Sequence, residues 1–317
     1  MSHAILYKNA SYNGTAVGLM VPDQIIGIMP MPYMYIYGIG SYAGYFSHGF
    51  NDQLSSAQLF PGYYPLSAAV LSQNTLVLFE TWNFQGKFNA TYFDHSRGVP
   101  FYQNFNDITS SAVIIQHPNP NNATRIGVSI KQAAGSSISS IVSNALSGIT
   151  SSYPFQRVLL WGTINYQFTI DYQGYLGIPL VRVDIPIRIV LEDPFRDSNG
   201  DILFYLQFSL VPNPNGSGTI LAASIVGYDI TNLDFLANTE KSTFLSKIKA
   251  QIPSITEKLN DGLLEENKDI SFLNLKGTYL IPWSSAFSQP NALYIQNFQQ
   301  DFYGSTTNDD CLLVLYN

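Results

Sequence analysis

From residue 138 onward the apolar positions Ile138, Ile141, Val142, Ala145, Leu146 and Ile149 step by three and four, which predicts a helix. Its other face is Ser, Asn and Gly with hardly a charge, so this helix is expected to be largely enclosed. Beyond it the period drops to two. Ile164 to Tyr172, Val181 to Ile189, Ile202 to Leu210 and Ile220 to Ile230 alternate with polar residues and predict an antiparallel meander with one wet face. Pro186 favours an edge or a bulge in the second of these strands. Asn199-Gly200 and Asn213–Gly218 read as turns. Asp197–Asp201 opens like a calcium loop, but an EF-hand needs Glu at position twelve and Phe208 stands there. A second helix is predicted over Thr239–Glu266, on the stripe Phe244, Leu245, Ile248, Ile252, Ile255, Leu259 and Leu263, with Pro253 expected to kink or split it. A strand follows at Phe272–Ile281. Ala292–Phe302 and Cys311–Tyr316 read as a final hairpin.

The first third of the chain shows a duplicated pattern instead. A short apolar strand, Ala4–Leu6, leads into Tyr7…Tyr12-Asn13-Gly14, and a second, Leu76–Leu78, leads into Phe79…Phe84-Gln85-Gly86. Asn51-Asp52-Gln53-Leu54-Ser55-Ser56 precedes one further apolar strand, and Asn106-Asp107-Ile108-Thr109-Ser110-Ser111 precedes another. Hairpin, connection, Asn-Asp loop and strand therefore occur twice in the same order, which predicts two Greek-key motifs. In each hairpin the Gly suits a left-handed backbone and the aromatic covers the bend. The copies are unequal. Phe79 and Asn106 are 27 positions apart and Tyr7 and Asn51 are 44, an excess of 17 that falls most naturally within the Tyr-, Met- and Gly-rich segment 21–45. That segment suits an adaptable binding or membrane-interface surface, or a pad against the rest of the chain. The Gly38-Ile-Gly40 match to a dinucleotide fingerprint lacks its strand–turn–helix context.

On these landmarks residues 3–118 resemble the βγ-crystallin family, whose aromatic-x4-aromatic-x-Gly hairpin is paired with an Asn/Asp-Asn/Asp-x-x-Ser/Thr-Ser hexapeptide. In its microbial-type members the hexapeptide is a Ca²⁺ signature. The resemblance implies a double Greek-key β-sandwich with two sites. One would use Asp52, the Gln53 carbonyl and Ser55, closed by a carbonyl near Glu80. The other would use Asp107, the Ile108 carbonyl and Ser110, closed near Lys8. An all-oxygen set of carboxylate, hydroxyl and carbonyl suits a hard cation that takes six to eight oxygens. Without calcium, each hexapeptide would still make an Asx-turn between strands.

The 317 residues carry 15 Lys+Arg and 22 Asp+Glu, a net charge of −7, which disfavours nucleic-acid binding. A hydrophobic fraction of 46% allows a large core. One cysteine, Cys311, excludes an internal disulfide and a thiolate zinc site and reads as a buried, inert thiol. No basic-then-apolar leader is visible in this sequence. The segment 119–124, rich in Asn and Pro, reads as a linker, giving domains at 1–118 and 125–317. No His pair, Gly-x-Ser-x-Gly or P-loop pattern suggests catalysis, and the protein is expected not to be an enzyme.

The fold class expected is mainly β in two domains: the double Greek-key sandwich, then an α+β domain with an antiparallel meander and two helices. The order helix, meander, long helix, strand is similar in topology to the tubular lipid-binding (TULIP-like) domains, which implies an apolar tunnel. An ordinary solid core fits the same pattern. The expected function is a calcium-binding module fused to a lipid- or membrane-engaging domain, released or extracellular, in the manner of a pore-forming toxin that assembles as a homo-oligomer on a membrane. The alternative is a calcium-stabilised structural, stress or adhesion protein.

Overall fold

The computed structural model describes residues 3–20, 36–38, 54–60, 73–81, 84, 86–93, 97–99, 102, 105–117, 125–148, 153–173, 176–193, 196–213, 216, 218–233, 238–266, 275, 277–284 and 302–316. In chain order the first strands are β1 (His3–Asn9), β2 (Asn13–Met20), β3 (Ile36–Gly38), β4 (Ser56–Phe60), β5 (Gln73–Phe79), β6 (Lys87–Phe93), β7 (Arg97–Val99) and β8 (Ser111–His117). They form two sheets, β2-β1-β4-β7 and β6-β5-β8-β3, the second extended by one more strand described below. In each repeat the first, second and fourth strands share a sheet. The third strand of each repeat crosses to the sheet of the other. β3 pairs with β8 and β7 pairs with β4, all antiparallel. The predicted pair of Greek keys is present, interlocked by exchange of their third strands. β3 lies inside the segment 21–45, so part of the expected insertion is a Greek-key strand; the rest of that segment lies outside the described residues.

The second half begins with β9 (Arg125–Ser129), which runs directly into α1 (Ile130–Gly148). Then follow β10 (Phe155–Leu160), β11 (Asn165–Gln173), β12 (Leu176–Leu191), β13 (Ser198–Pro212) and β14 (Thr219–Thr231). These give the predicted meander, plus β10, which the alternation did not announce. β12 is long enough to hold β11 against its first half and β10 against its second. Pro186 sits at that changeover: β11 pairing stops at Asp184 and β10 pairing starts at Ile187. An imino nitrogen with no N–H to donate costs least at such a break. Asn199-Gly200 is not a turn but lies inside β13, opposite Arg188 and Ile187. The Asn213–Gly218 turn is as predicted, with the Asn213 N–H donating to the Gly218 carbonyl at 3.0 Å.

The chain continues with α2 (Asn238–Glu266), β15 (Gly277–Trp283), β16 (Phe302–Thr307) and β17 (Asp310–Tyr316). Pro253 does not split α2, which is continuous through it. The stripe Phe244, Ile248, Ile255, Leu259 and Leu263 is buried, as are Ile138, Ile141, Val142 and Leu146 of α1. Both helices cover the apolar face of the meander, with Phe155 and Phe244 in ring contact at 5.6 Å. α1 is not enclosed as expected: Lys131, Gln132, Ser143, Asn144 and Ser147 are exposed. Small uncharged side chains can face water where the buried stripe alone fixes the helix. Asn260 of α2 accepts the Ala223 N–H at 2.8 Å and donates to its carbonyl at 3.1 Å, satisfying backbone groups on the open edge of β14.

The first arm of the expected final hairpin, Ala292–Phe302, lies outside the described residues apart from Phe302, and the last two described strands belong to different sheets. β17 pairs with β15 and β9 in a small three-stranded sheet, whereas β16 returns to the Greek-key half and pairs with β6. At its central strand β5 that second Greek-key sheet is buried on both faces. In β5, Leu76 and Leu78 face one way and Val77 and Phe79 the other, and all four are fully buried. Val77, Phe79, Phe84, Phe88, Ala90 and Val113 join the apolar residues of the meander, α1 and α2 in one core. Side chains that would have to line a lipid tunnel are the ones that pack this core. The proposed linker at 119–124 lies outside the described residues. Across it the halves share a sheet, through β16 and β6, and a core. Among the described residues no helix is long and apolar enough to cross a membrane.

Candidate metal centre

The two hairpins are built alike, bond for bond. In the first, Tyr12 has φ 62° and Gly14 φ 81°; in the second, Phe84 has φ 58° and Gly86 φ 78°. A bulky residue in the left-handed region is strained by about 1–2 kcal/mol. Two contacts offset this. The Tyr12 ring packs edge-on to Tyr7 at 5.8 Å, and Phe84 packs edge-on to Phe79 at 5.7 Å. The Tyr12 N–H donates to Ser56 Oγ at 3.1 Å, and the Phe84 N–H to Ser111 Oγ at 3.2 Å. Each serine then donates onward into the same hairpin, Ser56 to the Asn9 carbonyl and Ser111 to the Thr81 carbonyl, both at 2.6 Å. The second serine of each hexapeptide is thus a clamp on its own hairpin. Sequence reasoning gave these two serines no role, although their place in both repeats was the available signal.

The first serines lie one step nearer the hairpin mouth. Ser55 is buried; its N–H donates to the Tyr7 carbonyl at 2.9 Å and its hydroxyl to the Lys8 carbonyl at 2.5 Å. Ser110, also buried, repeats the backbone bond, its N–H donating to the Phe79 carbonyl at 2.8 Å. Ser55 therefore stands with Lys8 and Ser110 beside Glu80. This reverses the expected grouping, which had joined Ser55 to Glu80 and Ser110 to Lys8. The reason is topological: the fourth strand of each motif pairs with the first strand of the same motif, so each serine meets its own hairpin.

What crosses between motifs is the aspartate. The Asp107 N–H donates to the Leu54 carbonyl at 3.0 Å, which places Asp107 beside Ser55. Asp107 is exposed, has φ 55°, and its carboxylate accepts from Asn106 Nδ2 at 2.7 Å. The described oxygens in contact are the Lys8 carbonyl and the Ser55 hydroxyl, and the backbone bond from Asp107 sets it against Leu54, next to Ser55 along the chain. The mirror set would need Asp52 and Gln53, which lie outside the described residues. Ile108 is half-buried between Asp107 and Thr109. Glu80 closes its hairpin, its N–H donating to the Lys87 carbonyl at 2.9 Å and its carboxylate accepting from the Lys87 N–H at 3.2 Å.

The donor set fits a hard cation. It is oxygen only, mixing one carboxylate with neutral oxygens. Two buried oxygens flanking Asp107-Ile108, Asn106 Oδ1 and Thr109 Oγ1, have no hydrogen-bond partner among the described residues. Such orphans are uncommon and mark places where a partner is missing. No three His, Cys, Asp or Glu side chains gather among the described residues, so a site of transition-metal type has no counterpart there.

No family model and no curated protein matches the chain. Solved structures do. One, from work on the evolution of the eye-lens βγ-crystallin domain fold, is 19% identical over 37% of this chain and 87% of its own, at a TM-score of 0.25. Another, a βγ-crystallin from Ciona intestinalis, is 18% identical over 36% of this chain and 99% of its own, at a TM-score of 0.22. Both likenesses cover a little over a third of this chain.

Proposed function

We propose that the chain is a non-enzymatic, calcium-stabilised protein whose βγ-crystallin-like segment binds Ca²⁺ between its two motifs. The observation that carries this reading is the backbone bond that brings Asp107 of the second motif to Leu54, next to Ser55 and its bond to the Lys8 carbonyl, with orphaned buried oxygens on Asn106 and Thr109. Lys8, Ser55, Asp107 and Ile108 would hold one ion, and Glu80, Ser110, Asp52 and Gln53 would form the mirror set. Bound calcium would supply the positive charge that lets carboxylate and carbonyls converge, and it would pin the two motifs together. The apolar side chains of the second half pack with one another in one core, which favours a structural, stress or adhesion role over a lipid carrier or a toxin.

Calcium that binds only the folded chain raises its stability by about 2.7 kcal/mol at about 100 times Kd. Melting in calcium should therefore exceed melting in chelator, and Asp107→Ala should remove the part of the shift due to the described site. Equal melting of the wild type with and without millimolar calcium would sink the reading.

A further inference from the structure

We infer that calcium binding is coupled to the folding of the whole second half through one junction, formed by Phe79, Gly86, Phe168 and Asn308. The inference rests on the calcium reading above. The loop that carries Asp107 is tied to the Phe79–Gly86 hairpin by the Ser110 N–H to the Phe79 carbonyl and by Ser111 to the Thr81 carbonyl. The same hairpin faces the second half on its other side. The Phe79 ring stacks on Phe168 of β11, centroids 6.0 Å apart and planes 14° from parallel. The Gly86 carbonyl accepts the Asn308 N–H at 3.2 Å.

Asn308 sits between β16 and β17 and is buried. Its side-chain amide, turned so that both ends are satisfied, accepts the Phe168 N–H at 3.2 Å and donates to the Asp310 carbonyl at 3.0 Å. Asp310 in turn accepts the Lys131 N–H at 2.9 Å and the Ser129 hydroxyl, at the start of α1. A continuous run of bonded groups thus joins the aspartate loop to the meander edge, the returning strand and a helix terminus. The two motifs are unequal in this respect. Val77, Phe79, Phe84, Phe88, Ala90 and Val113 of the second repeat belong to the shared core, while Ala4, Leu6 and Ala57 of the first are buried outside it. Sharing that core, the second repeat and the second half lose their packing together.

Coupling of this kind has a quantitative signature. If the second half opens only together with the site, its slowest amides exchange through the same opening. Calcium then slows them by the same factor, about 100-fold at about 100 times Kd. The experiment is amide exchange of the full chain in calcium and in chelator, for wild type, Asp107→Ala and Asn308→Ala. In the wild type, residues 165–173, 302–316 and 130–148 should slow about as much as 105–117. Asp107→Ala should remove both effects. Asn308→Ala should keep the slowing at 105–117 and lose it in the second half. If Asn308→Ala fails to fold, Phe168→Leu, which removes the ring stack with a smaller change of volume, takes its place. Slowing confined to 105–117 in the wild type would overturn the coupling and leave the calcium site standing. Slowing nowhere would overturn the site itself. Slowing of the second half that survives in Asp107→Ala would trace to other calcium and overturn the coupling to this site.

Discussion

At the scale of single residues, two serines outside the proposed calcium sets, Ser56 and Ser111, clamp the Greek-key hairpins. Ser111 accepts from the buried Phe84 N–H and donates to the Thr81 carbonyl, holding an aromatic residue in a left-handed backbone. Ser111→Ala leaves that N–H without a partner, which costs about 1–3 kcal/mol. Denaturant unfolding should show a loss of that size even in chelator, which separates the clamp from metal binding. Gly14 and Gly86 answer a different need. A Cβ at Gly14 would stand 2.7 Å from Asn9 Nδ2, and φ is +81° there. The spacing of aromatic and glycine was legible in the sequence because it obeys local backbone sterics. The partner of Ser55 was not legible, because it depends on which hairpin the fourth strand lies against.

At the scale of elements, α1 shows how far a helix cap can come from. Its apolar steps begin at Ile138, but the helix begins at Ile130. The first-turn N–H of Lys131 is satisfied by Asp310, a residue 179 positions away. Ser129 accepts the Gln132 N–H at 3.2 Å and donates to the same carboxylate. Burial raises the Asp310 carboxyl above its ordinary 3.8, against the lowering effect of hydrogen bonds from Ser129, Lys131 and Cys311; Asp309 raises it further. The sign of the linkage follows. A carboxyl whose folded value lies above its unfolded value contributes stability that is fully present below about pH 3.8 and is lost as pH rises through the folded value. Asp310→Asn keeps a cap oxygen and removes the titration. The stability of the wild type relative to this variant should therefore fall as pH rises above about 4, measured by melting across a pH series. A difference that grows with pH would refute the argument. The same carboxylate also pushes up the Tyr166 hydroxyl, which is raised chiefly by its own burial. Cys311 beside it is fully buried and its thiol is held well above the ordinary value, again chiefly by burial. That is the inert thiol expected of a cysteine in an apolar strand.

At the scale of the whole molecule, the returning strand β16 and the double-sided burial of β5 join what looked like two domains. Chains with separate cores unfold in separate steps, and a shared core makes the steps one. Calorimetry of the full chain should give a single transition whose van't Hoff and calorimetric enthalpies agree. Two transitions would restore the two-domain view. The sequence alone determined the elements whose causes are local. Alternation fixed the meander, the three-and-four steps fixed both helices, and the duplicated hairpin and hexapeptide fixed the pair of Greek keys. Only the tertiary structure decided which hairpin each serine meets, where α1 starts, and that β5 is buried on both faces. Those outcomes depend on contacts between residues as far apart as 47 and 179 positions, and no periodicity or short motif reports which distant strand will arrive at an edge.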